Sequence, residues 1–262
     1  MTTHLIETKT DVPTFGGLHG LTALVTGASS GLGAHFAATL ARAGARVILC
    51  ARRIEALEET TRLILDAGGE AVAAPLDVTS SQSIRAIDHH LSKVDILVNN
   101  AGVVRQGAAF DYSEEDWDVV IDTNLKGMFL MAQAAAKAMW KAGRTGTIIN
   151  IASILGQRQA GGALPYAVSK AGVVQLTKTL PLELARFGTR VNAISPGYID
   201  TDLNRAFLAS EAGQALVRRI PQRRLGCLHD LNGPLLLLAS SASSYMTGAV
   251  IAVDGGHLVS SL

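Results

Sequence analysis

Several features that would assign this chain to a specialised class of protein are missing from its 262 residues. It has two cysteines, Cys50 and Cys227, too few for a disulfide framework or a cysteine-rich metal site, and its histidines lack metal-ligand spacing. Lys and Arg total 23 against 22 Asp and Glu, so a net charge of +1 offers no electrostatic footprint for nucleic acid or an anionic membrane. No apolar run approaches the ~18 residues that span a bilayer. We therefore expect no metal, no nucleic acid, no membrane and a reducing, cytoplasmic location.

The residues that are present favour one large α/β domain. Hydrophobic residues make up 48% of the chain and charged residues 17%, enough for a large core and an apolar subunit interface. Residues 1–17 contain Glu7, Lys9 and Asp11 and no basic region followed by an apolar one. We expect residues 1–17 to form an N-terminal extension and residues 18–262 a single domain.

The hydrophobic pattern alternates between short apolar runs and stretches of helical spacing. The predicted strands are Leu21–Thr26, Ala45–Ala51, Glu70–Pro75, Val94–Val98, Thr147–Ile151, Arg190–Ser195 and Ala249–Val253. The predicted helices are Leu32–Ala43, Ile54–Ala67, Ser80–Leu91, Glu114–Ala142, Tyr166–Phe187 and Asp230–Ala239. Such alternation predicts a doubly wound, seven-stranded parallel sheet with helices on both faces, with ligands beyond the carboxyl ends of the strands.

The turn after the first strand is rich in glycine and hydroxyl side chains. It reads Thr26-Gly27-Ala28-Ser29-Ser30-Gly31-Leu32-Gly33 and runs into an alanine-rich helix. Such a turn lets the backbone approach a pyrophosphate, which the free N–H groups at the helix start stabilise. The spacing is G-x-x-x-G-x-G, not the common G-x-G-x-x-G.

Further motifs follow the other strands in order. Asn99-Asn100-Ala101-Gly102 follows the fourth strand and Ser153 the fifth, thirteen positions before the Tyr166-x-x-x-Lys170 motif. Pro196-Gly197 follows the sixth strand and Asp254-Gly255-Gly256 the last. With the glycine turn, these motifs resemble the short-chain dehydrogenase/reductase family from about Leu18 to Leu262. The resemblance implies a single-domain Rossmann fold and hydride transfer between a nicotinamide coenzyme and a carbonyl or secondary alcohol.

The resemblance also implies roles for four residues. Tyr166 would be the general acid/base, and Ser153 would polarise the substrate oxygen. Tyr166 and Lys170 share one helix face, and a nearby cation favours the phenolate form of a tyrosine. Lys170 would also hold the nicotinamide ribose, and Asn124 would position a water in a proton relay.

The same resemblance implies a set of coenzyme contacts. They are Gly27, Ser29, Ser30, Gly31, Leu32, Gly33, Arg52, Arg53, Asp77, Val78, Asn99, Ala101, Gly102, Tyr166, Lys170, Pro196, Gly197, Ile199 and Thr201. At the end of the second strand, Ala51 stands where NAD-preferring relatives have an acid, and Arg52 matches the basic residue of NADP-preferring relatives. We therefore expect NADP(H) to be preferred, with NAD(H) possible.

The substrate is less constrained by the sequence. Residues 198–222 resemble the family's variable substrate lid, and the expected substrate contacts are Ser153, Leu155, Tyr166, Arg105, Tyr198, Leu203 and Phe207. Arg105 completes an N-A-G-x-x-R pattern similar to sugar-acid dehydrogenases of the gluconate 5-dehydrogenase group, although Gln106 replaces their second arginine. General alcohol or ketone dehydrogenases remain equally open.

Two other functions remain as alternatives. One is a 3-oxoacyl thioester reductase, against which Pro165 stands where those enzymes usually have asparagine before the catalytic tyrosine. The other is a nucleotide-binding regulator that has lost catalysis, although such proteins usually lose the tyrosine or lysine that this chain keeps. By the same resemblance we expect a small-molecule substrate and a homotetramer.

Overall fold

A computed structural model describes residues 17–200 and 210–260. In that part of the chain, seven parallel strands form one sheet in the order β3-β2-β1-β4-β5-β6-β7. The strands are β1 (Thr22–Thr26), β2 (Arg46–Ala51), β3 (Glu70–Pro75), β4 (Ile96–Asn99), β5 (Gly146–Ile151), β6 (Thr189–Pro196) and β7 (Val250–Val253). The predicted doubly wound fold is confirmed.

Helices cover both faces of this sheet. They are α1 (Gly31–Arg42), α2 (Ile54–Asp66), α3 (Ser81–Ala86), α4 (Asp88–Leu91), α5 (Glu114–Ile121), α6 (Gly127–Lys141), α7 (Leu164–Leu184), α8 (Glu211–Val217) and α9 (Asn232–Ala239). One face packs α1 and α9 around Phe36 and Leu235. The other packs α6 around Met131 and Met139. The five central strands are buried on both sides, which explains their near-continuous apolar sequence, whereas the edge strands β3 and β7 are partly exposed.

Three of the predicted helices differ from the structure in ways that have a local physical reason. The stretch predicted as one helix from residue 80 breaks at Ile87 (φ −101°, ψ 13°) into α3 and α4. The long helix from Glu114 is divided by a π-helical turn, Asp122–Lys126. The helix α7 begins at Leu164, before Tyr166, because Pro165 is tolerated in a first turn, where its missing N–H needs no partner.

The strand order places the candidate site. The connection from β3 crosses to β4 on the far side of β1, so the chain winds away from β1 in both directions. Crevices at such a reversal, outside the carboxyl ends of the strands, are where doubly wound folds bind ligands. None of the helices within the described ranges combines the length and the apolar character needed to cross a membrane. Across those ranges there is also no cluster of metal-ligating side chains.

Candidate active site

The glycine-rich turn brings the start of α1 close to the ends of β1 and β4. At Gly33, a Cβ atom would stand 2.2 Å from the carbonyl oxygen of Gly27, so a side chain is excluded. Gly27 has a φ of +66°, and its Cβ would lie 2.9 Å from Ala101 Cα. Gly31 differs, because its φ is +54° but nothing lies within 4 Å of the point where a Cβ would stand. The turn is therefore tightly packed behind and open in front, as a phosphate cradle must be.

Among the described residues, no side chain caps the backbone donors in the first turn of α1. Ser30 occupies the N-cap position but makes no side-chain capping hydrogen bond, and no acidic residue lies in the first turn. Instead, Arg53 Nη2 donates to Ser29 Oγ (3.2 Å) and Ser30 Oγ (3.0 Å). Free N–H groups, two hydroxyls and a guanidinium all suit phosphate oxygens.

A narrow cavity of about 270 Å³ opens beside this turn. Its walls comprise Gly27, Ser29, Ser30, Cys50, Ala51, Arg52, Arg53, Leu76, Asp77, Val78, Ala101, Gly102, Val103 and Thr123. Nine of the expected coenzyme contacts are among them. Cys50, Leu76 and Thr123 were not predicted, although the first two lie at ends of predicted strands. Because this narrow cavity joins an open glycine turn to two arginines, the residues present fit a dinucleotide carrying an extra phosphate.

Asp77 is held by its own turn and does not cap a helix. Its Oδ1 accepts hydrogen bonds from Thr79 N (2.9 Å) and Thr79 Oγ1 (2.7 Å). The helix that follows is capped by Ser80, whose hydroxyl accepts from Ser83 N. The Asp77 side chain is therefore fixed at the wall of the narrow cavity.

The two asparagines after β4 have different environments. Asn99 is buried, and its Nδ2 donates to Met128 O (3.0 Å) and Asn150 Oδ1 (3.2 Å), inside the protein. Asn99 lines neither cavity, and its coenzyme contact stays a prediction. Asn100 was not predicted individually, yet it lines the second cavity and donates to Thr26 O (3.0 Å). Neighbouring side chains along a strand point to opposite faces. Asn99 and Asn100 therefore point in different directions, and only Asn100 faces the crevice.

The second, wide cavity has a volume of about 810 Å³ and adjoins the first, because Gly27, Ser30, Gly102 and Val103 line both. Its other walls are Gly31, Leu32, Gly33, Asn100, Val104, Ile151, Ala152, Ser153, Ile154, Leu155, Tyr166, Lys170, Pro196, Gly197, Tyr198 and Ile199. The two cavities together form a groove along the carboxyl edge of the sheet.

Tyr166, Ser153 and Lys170 lie together in the wall of the wide cavity. The Lys170 Nζ lies 5.6 Å from the centroid of the Tyr166 ring and donates to Ile151 O at 2.7 Å. Burial raises the pKa of Tyr166, a hydrogen bond from Ser153 lowers it, and the nearby Tyr198 phenol raises it. The net result is a raised pKa for Tyr166, whereas the sequence, from Lys170 four residues later on the same helix, predicted a lowered one. Burial also lowers the pKa of Lys170 to about 8.

Asn124 does not line the wide cavity with these three side chains. It is fully buried in the π-helical turn, where its Oδ1 accepts from Val103 N (2.8 Å). Its Nδ2 donates to Val103 O (2.9 Å) and Ser169 Oγ (3.1 Å). The side-chain amide therefore has all its partners inside the protein and holds the loop after β4; the water relay stays a prediction.

The expected substrate contacts are divided in the structure. Leu155 and Tyr198 line the wide cavity, whereas Arg105 lines neither cavity. Arg105 is half exposed and pairs with Asp116 at 3.5 Å. Leu203 and Phe207 lie outside the described residues, as does Thr201, an expected coenzyme contact.

The parallel sheet, the phosphate-suited turn and the tyrosine–serine–lysine cluster define the class of nicotinamide-dependent oxidoreductases built on a doubly wound fold. A family model described as enoyl-(acyl carrier protein) reductase matches residues 27–257. The chain belongs to the short-chain dehydrogenase/reductase family, and it is an oxidoreductase that transfers hydride to or from a carbonyl or alcohol carbon.

Individual relatives cover nearly the whole chain. The chain is 42% identical to 2-dehydro-3-deoxy-D-gluconate 5-dehydrogenase of Escherichia coli, over 92% of this chain and 96% of that protein. It is 38% identical to a 3-oxoacyl-[acyl-carrier-protein] reductase of Thermotoga maritima, over 92% of this chain and 99% of that protein. The crystal structure of a gluconate 5-dehydrogenase from Burkholderia cenocepacia, in complex with NADP and tartrate, aligns with a TM-score of 0.89 at 35% identity, over 94% of this chain and 99% of that one.

Proposed function

We propose that this protein is an NADP(H)-dependent dehydrogenase of sugar acids, which interconverts a secondary alcohol and a ketone of an aldonate chain. The observation that carries the proposal is the Tyr166–Ser153–Lys170 cluster in a wide cavity continuous with the narrow cavity. A cavity of about 810 Å³ is within the usual size of small-molecule sites, which are ~300–1,000 Å³. Relatives named for gluconate and its keto-deoxy derivative support the sugar-acid class.

In this proposal Tyr166 and Ser153 act on the substrate oxygen, and Lys170 acts on the Tyr166 phenol. When bound, the nicotinamide supplies or accepts the hydride. Tyr166, kept protonated by burial, donates its proton to the carbonyl oxygen during reduction and takes it back during oxidation. Ser153 donates a hydrogen bond to the same oxygen. Lys170, fixed by Ile151 O, places its cation beside the phenol so that a phenolate is stabilised as it forms.

The coenzyme half of the proposal rests on the narrow cavity. Arg52 and Arg53 both line it, and no acidic side chain stands at the end of β2, where Ala51 lies. A 2′-phosphate placed there would meet two guanidinium groups, with Arg53 already oriented by Ser29 and Ser30. An acid at Ala51 would instead favour the free ribose hydroxyls of NAD(H).

A second candidate is reduction of a 3-oxoacyl thioester. The name of the Thermotoga relative favours it, and the family model's description points to thioesters of the acyl carrier protein as a substrate class. The chemistry at Tyr166 would be the same, so the two candidates differ only in what the wide cavity holds beyond the reacting carbon.

One assay separates these candidates. The purified protein is tested for NADPH and NADH oxidation with 5-keto-D-gluconate, a neutral ketose and acetoacetyl-CoA. The proposal expects the highest kcat/KM with 5-keto-D-gluconate and NADPH. A higher kcat/KM with acetoacetyl-CoA would replace it with the thioester candidate, and turnover of the neutral ketose alone would remove the acid from the substrate class.

We also propose that residues 18–262 form a single domain, that residues 198–222 form its substrate lid, and that residues 1–17 are an extension.

We propose in addition that the enzyme is a homotetramer. Exposed apolar side chains, including Leu164 and Val168 one turn apart on α7, and Leu182 and Tyr245, support an extensive subunit interface. Light scattering on the protein as it elutes from a size-exclusion column tests the tetramer. A measured mass near 27.4 kDa, that of one chain, would contradict it.

A further inference from the structure

The chain after β7 folds back onto the catalytic edge of the sheet. The Asp254 carboxylate accepts from Gly256 N (2.9 Å) and Leu258 N (2.6 Å), which closes a turn. Gly255 and Gly256 have φ values of +64° and +86°, which L side chains rarely adopt. The turn is in close contact with Gly197, where a Cβ would stand 2.7 Å from Asp254 Cβ. This C-terminal turn, residues 254–260, therefore packs directly against the end of β6.

Arg158 links this turn to the loop that carries Ser153. It lies between β5 and α7, and its Nη1 donates to His257 O (2.6 Å), Ser260 Oγ (3.2 Å) and, more weakly, Ser260 O (3.5 Å). These partners are about a hundred residues away in the chain. The described residues offer Arg158 no carboxylate within ion-pair distance, so its hydrogen bonds to the C-terminal turn are what hold its guanidinium.

His257 transmits this link to the wide cavity. It is 5% exposed, and its ring centroid lies 5.7 Å from that of Tyr198. Its Nδ1 is buried with no hydrogen-bond partner in the described part of the chain. Among the described residues, Nδ1 has no partner to orient the ring, so packing against Tyr198 and the hydrogen-bonded backbone of His257 contribute to holding it.

Tyr198 is the member of this cluster that reaches the site. It lines the wide cavity together with Tyr166. Burial raises the pKa of Tyr198 and the Arg158 charge lowers it, while the Tyr198 phenol in turn raises the pKa of Tyr166. These electrostatic effects place Arg158, Tyr198 and Tyr166 in one neighbourhood.

We propose that Arg158 is a positioning residue for substrate binding: by pinning the C-terminal turn, it presses His257 against Tyr198 and so sets the Tyr198 wall of the wide cavity. Arg158 itself need not touch the substrate. The proposal concerns the same cavity as the proposed function and rests on it for the choice of substrate.

The chain provides a matched control. Arg190, at the start of β6, donates to Ser243 Oγ (2.7 Å), Leu238 O (3.2 Å) and Ser240 O (3.3 Å). Like Arg158, it binds carbonyls and a serine of a later segment, but at the opposite end of the strand that leads to Tyr198. Arg190→Met should therefore lower the melting temperature and leave KM unchanged.

The kinetic test compares Arg158→Met with that control. Because a small displacement of a binding wall weakens substrate positioning, Arg158→Met should raise KM for 5-keto-D-gluconate by about tenfold. The Kd of NADPH should change much less than KM, because the glycine turn and the two arginines of the narrow cavity are left intact. Arg158→Lys, which keeps one donor, should recover part of the loss. A lower melting temperature with an unchanged KM would show that Arg158 is merely structural and would overturn the proposal.

A double mutant tests the route through the histidine. His257→Ala removes the ring that contacts Tyr198 and should raise KM as Arg158→Met does. If both act through Tyr198, the double variant should be no worse than the worse single variant. KM increases that multiply would mean independent actions and would contradict the route.

Amide hydrogen exchange supplies a readout that needs no substrate. In Arg158→Met, exchange should rise both in the C-terminal turn and at residues 197–199, where Gly197 N donates to Val253 O (2.9 Å). An increase confined to the C-terminal turn would overturn the inference. If the wild type fails to reduce 5-keto-D-gluconate, only the proposed function fails, and amide exchange decides this proposal.

Discussion

The narrow and wide cavities are neighbours on one sheet edge, but they are assembled differently. The narrow cavity is built from turns that directly follow β1, β2, β3 and β4, and its polar groups are backbone donors, hydroxyls and two arginines. The wide cavity takes Tyr198 from beyond β6, and its wall is held by Arg158 and the C-terminal turn. The phosphate-binding part of the groove is therefore made by short local motifs, whereas the Tyr198 wall depends on segments that are distant in the chain.

The largest effect should come from the residue on which the wide cavity's chemistry depends. Tyr166→Phe removes the hydroxyl that exchanges the proton and should lower kcat by ~10²–10⁴-fold, the usual scale for a general acid/base. The Kd of NADPH should hardly change, since the narrow cavity is intact. Single-turnover kinetics and coenzyme fluorescence measure the two quantities. If the variant kept more than half of the wild-type rate with chemistry limiting, Tyr166 would lose its proposed role.

Lys170 should make stability depend on pH. Its pKa in the folded protein is about 8 against an ordinary 10.5, so between these values the unfolded chain binds the additional proton. The free energy of unfolding should therefore rise with pH over this window, by up to about 3 kcal/mol at ~1.4 kcal/mol per pH unit.

Denaturant unfolding of the wild type and of Lys170→Met at several pH values isolates this contribution. The variant should lack the rise, because it has no proton to lose. Parallel pH profiles for the two proteins would show that burial does not shift the Lys170 pKa as the structure indicates.

The preference for NADPH over NADH should depend on residues of the narrow cavity alone. The double change Ala51→Asp with Arg52→Ala adds an acid and removes a cation, and should shift kcat/KM from NADPH toward NADH. A charge-assisted hydrogen bond is worth ~1.5–3 kcal/mol, so a shift of roughly 10–150-fold is expected.

Arg53→Ala measures the contribution of Arg53 separately from that of Arg52. Because Arg53 is the one that contacts Ser29 and Ser30, its loss should also weaken NADPH binding while sparing NADH. A wild-type preference for NADH, or an unchanged preference in the double variant, would contradict the NADP(H) assignment.

The smallest effect, a change in KM, is expected at Arg105, which lines neither cavity and pairs with Asp116. A substrate carboxylate would compete with Asp116 for this guanidinium. Asp116→Asn should therefore lower KM for 5-keto-D-gluconate a few-fold, since exposed ion pairs contribute ~0.2–1 kcal/mol. Arg105→Ala should raise that KM and leave the KM of a neutral ketose unchanged. Equal effects of Arg105→Ala on acidic and neutral substrates would exclude it from recognition of the acid.

Much of the fold could be predicted because its elements are locally encoded. The bounds of β3 agree with the predicted Glu70–Pro75, and β2 and β6 differ by a single residue at one or both ends. The errors in the helix bounds lie where no local sequence signal marks the end of a helix. No glycine or proline marks Ile87, and the apolar periodicity runs through the π-helical turn at Asp122–Lys126. The helix α8 lies within the predicted substrate lid and was not predicted as a helix.

The site was predictable in its residue types but not in its contacts. The sequence identifies Tyr166, Ser153 and Lys170 as a group, and the structure gathers them in one wall. It does not reveal that Asn99 points into the protein and Asn100 into the crevice. Nor does it show that Arg105 turns to Asp116, because the rotamer of an exposed arginine depends on which partners the fold brings near.

By itself, the sequence determined the doubly wound sheet, the phosphate-suited turn and the class of chemistry, since each depends on residues close together in the chain. Only the tertiary structure decided that burial raises the Tyr166 pKa in spite of the hydrogen bond from Ser153, and that Arg158 contacts a turn a hundred residues away. The physical reason is that desolvation and long-range hydrogen bonds depend on the complete packing around a group. No local pattern specifies that packing.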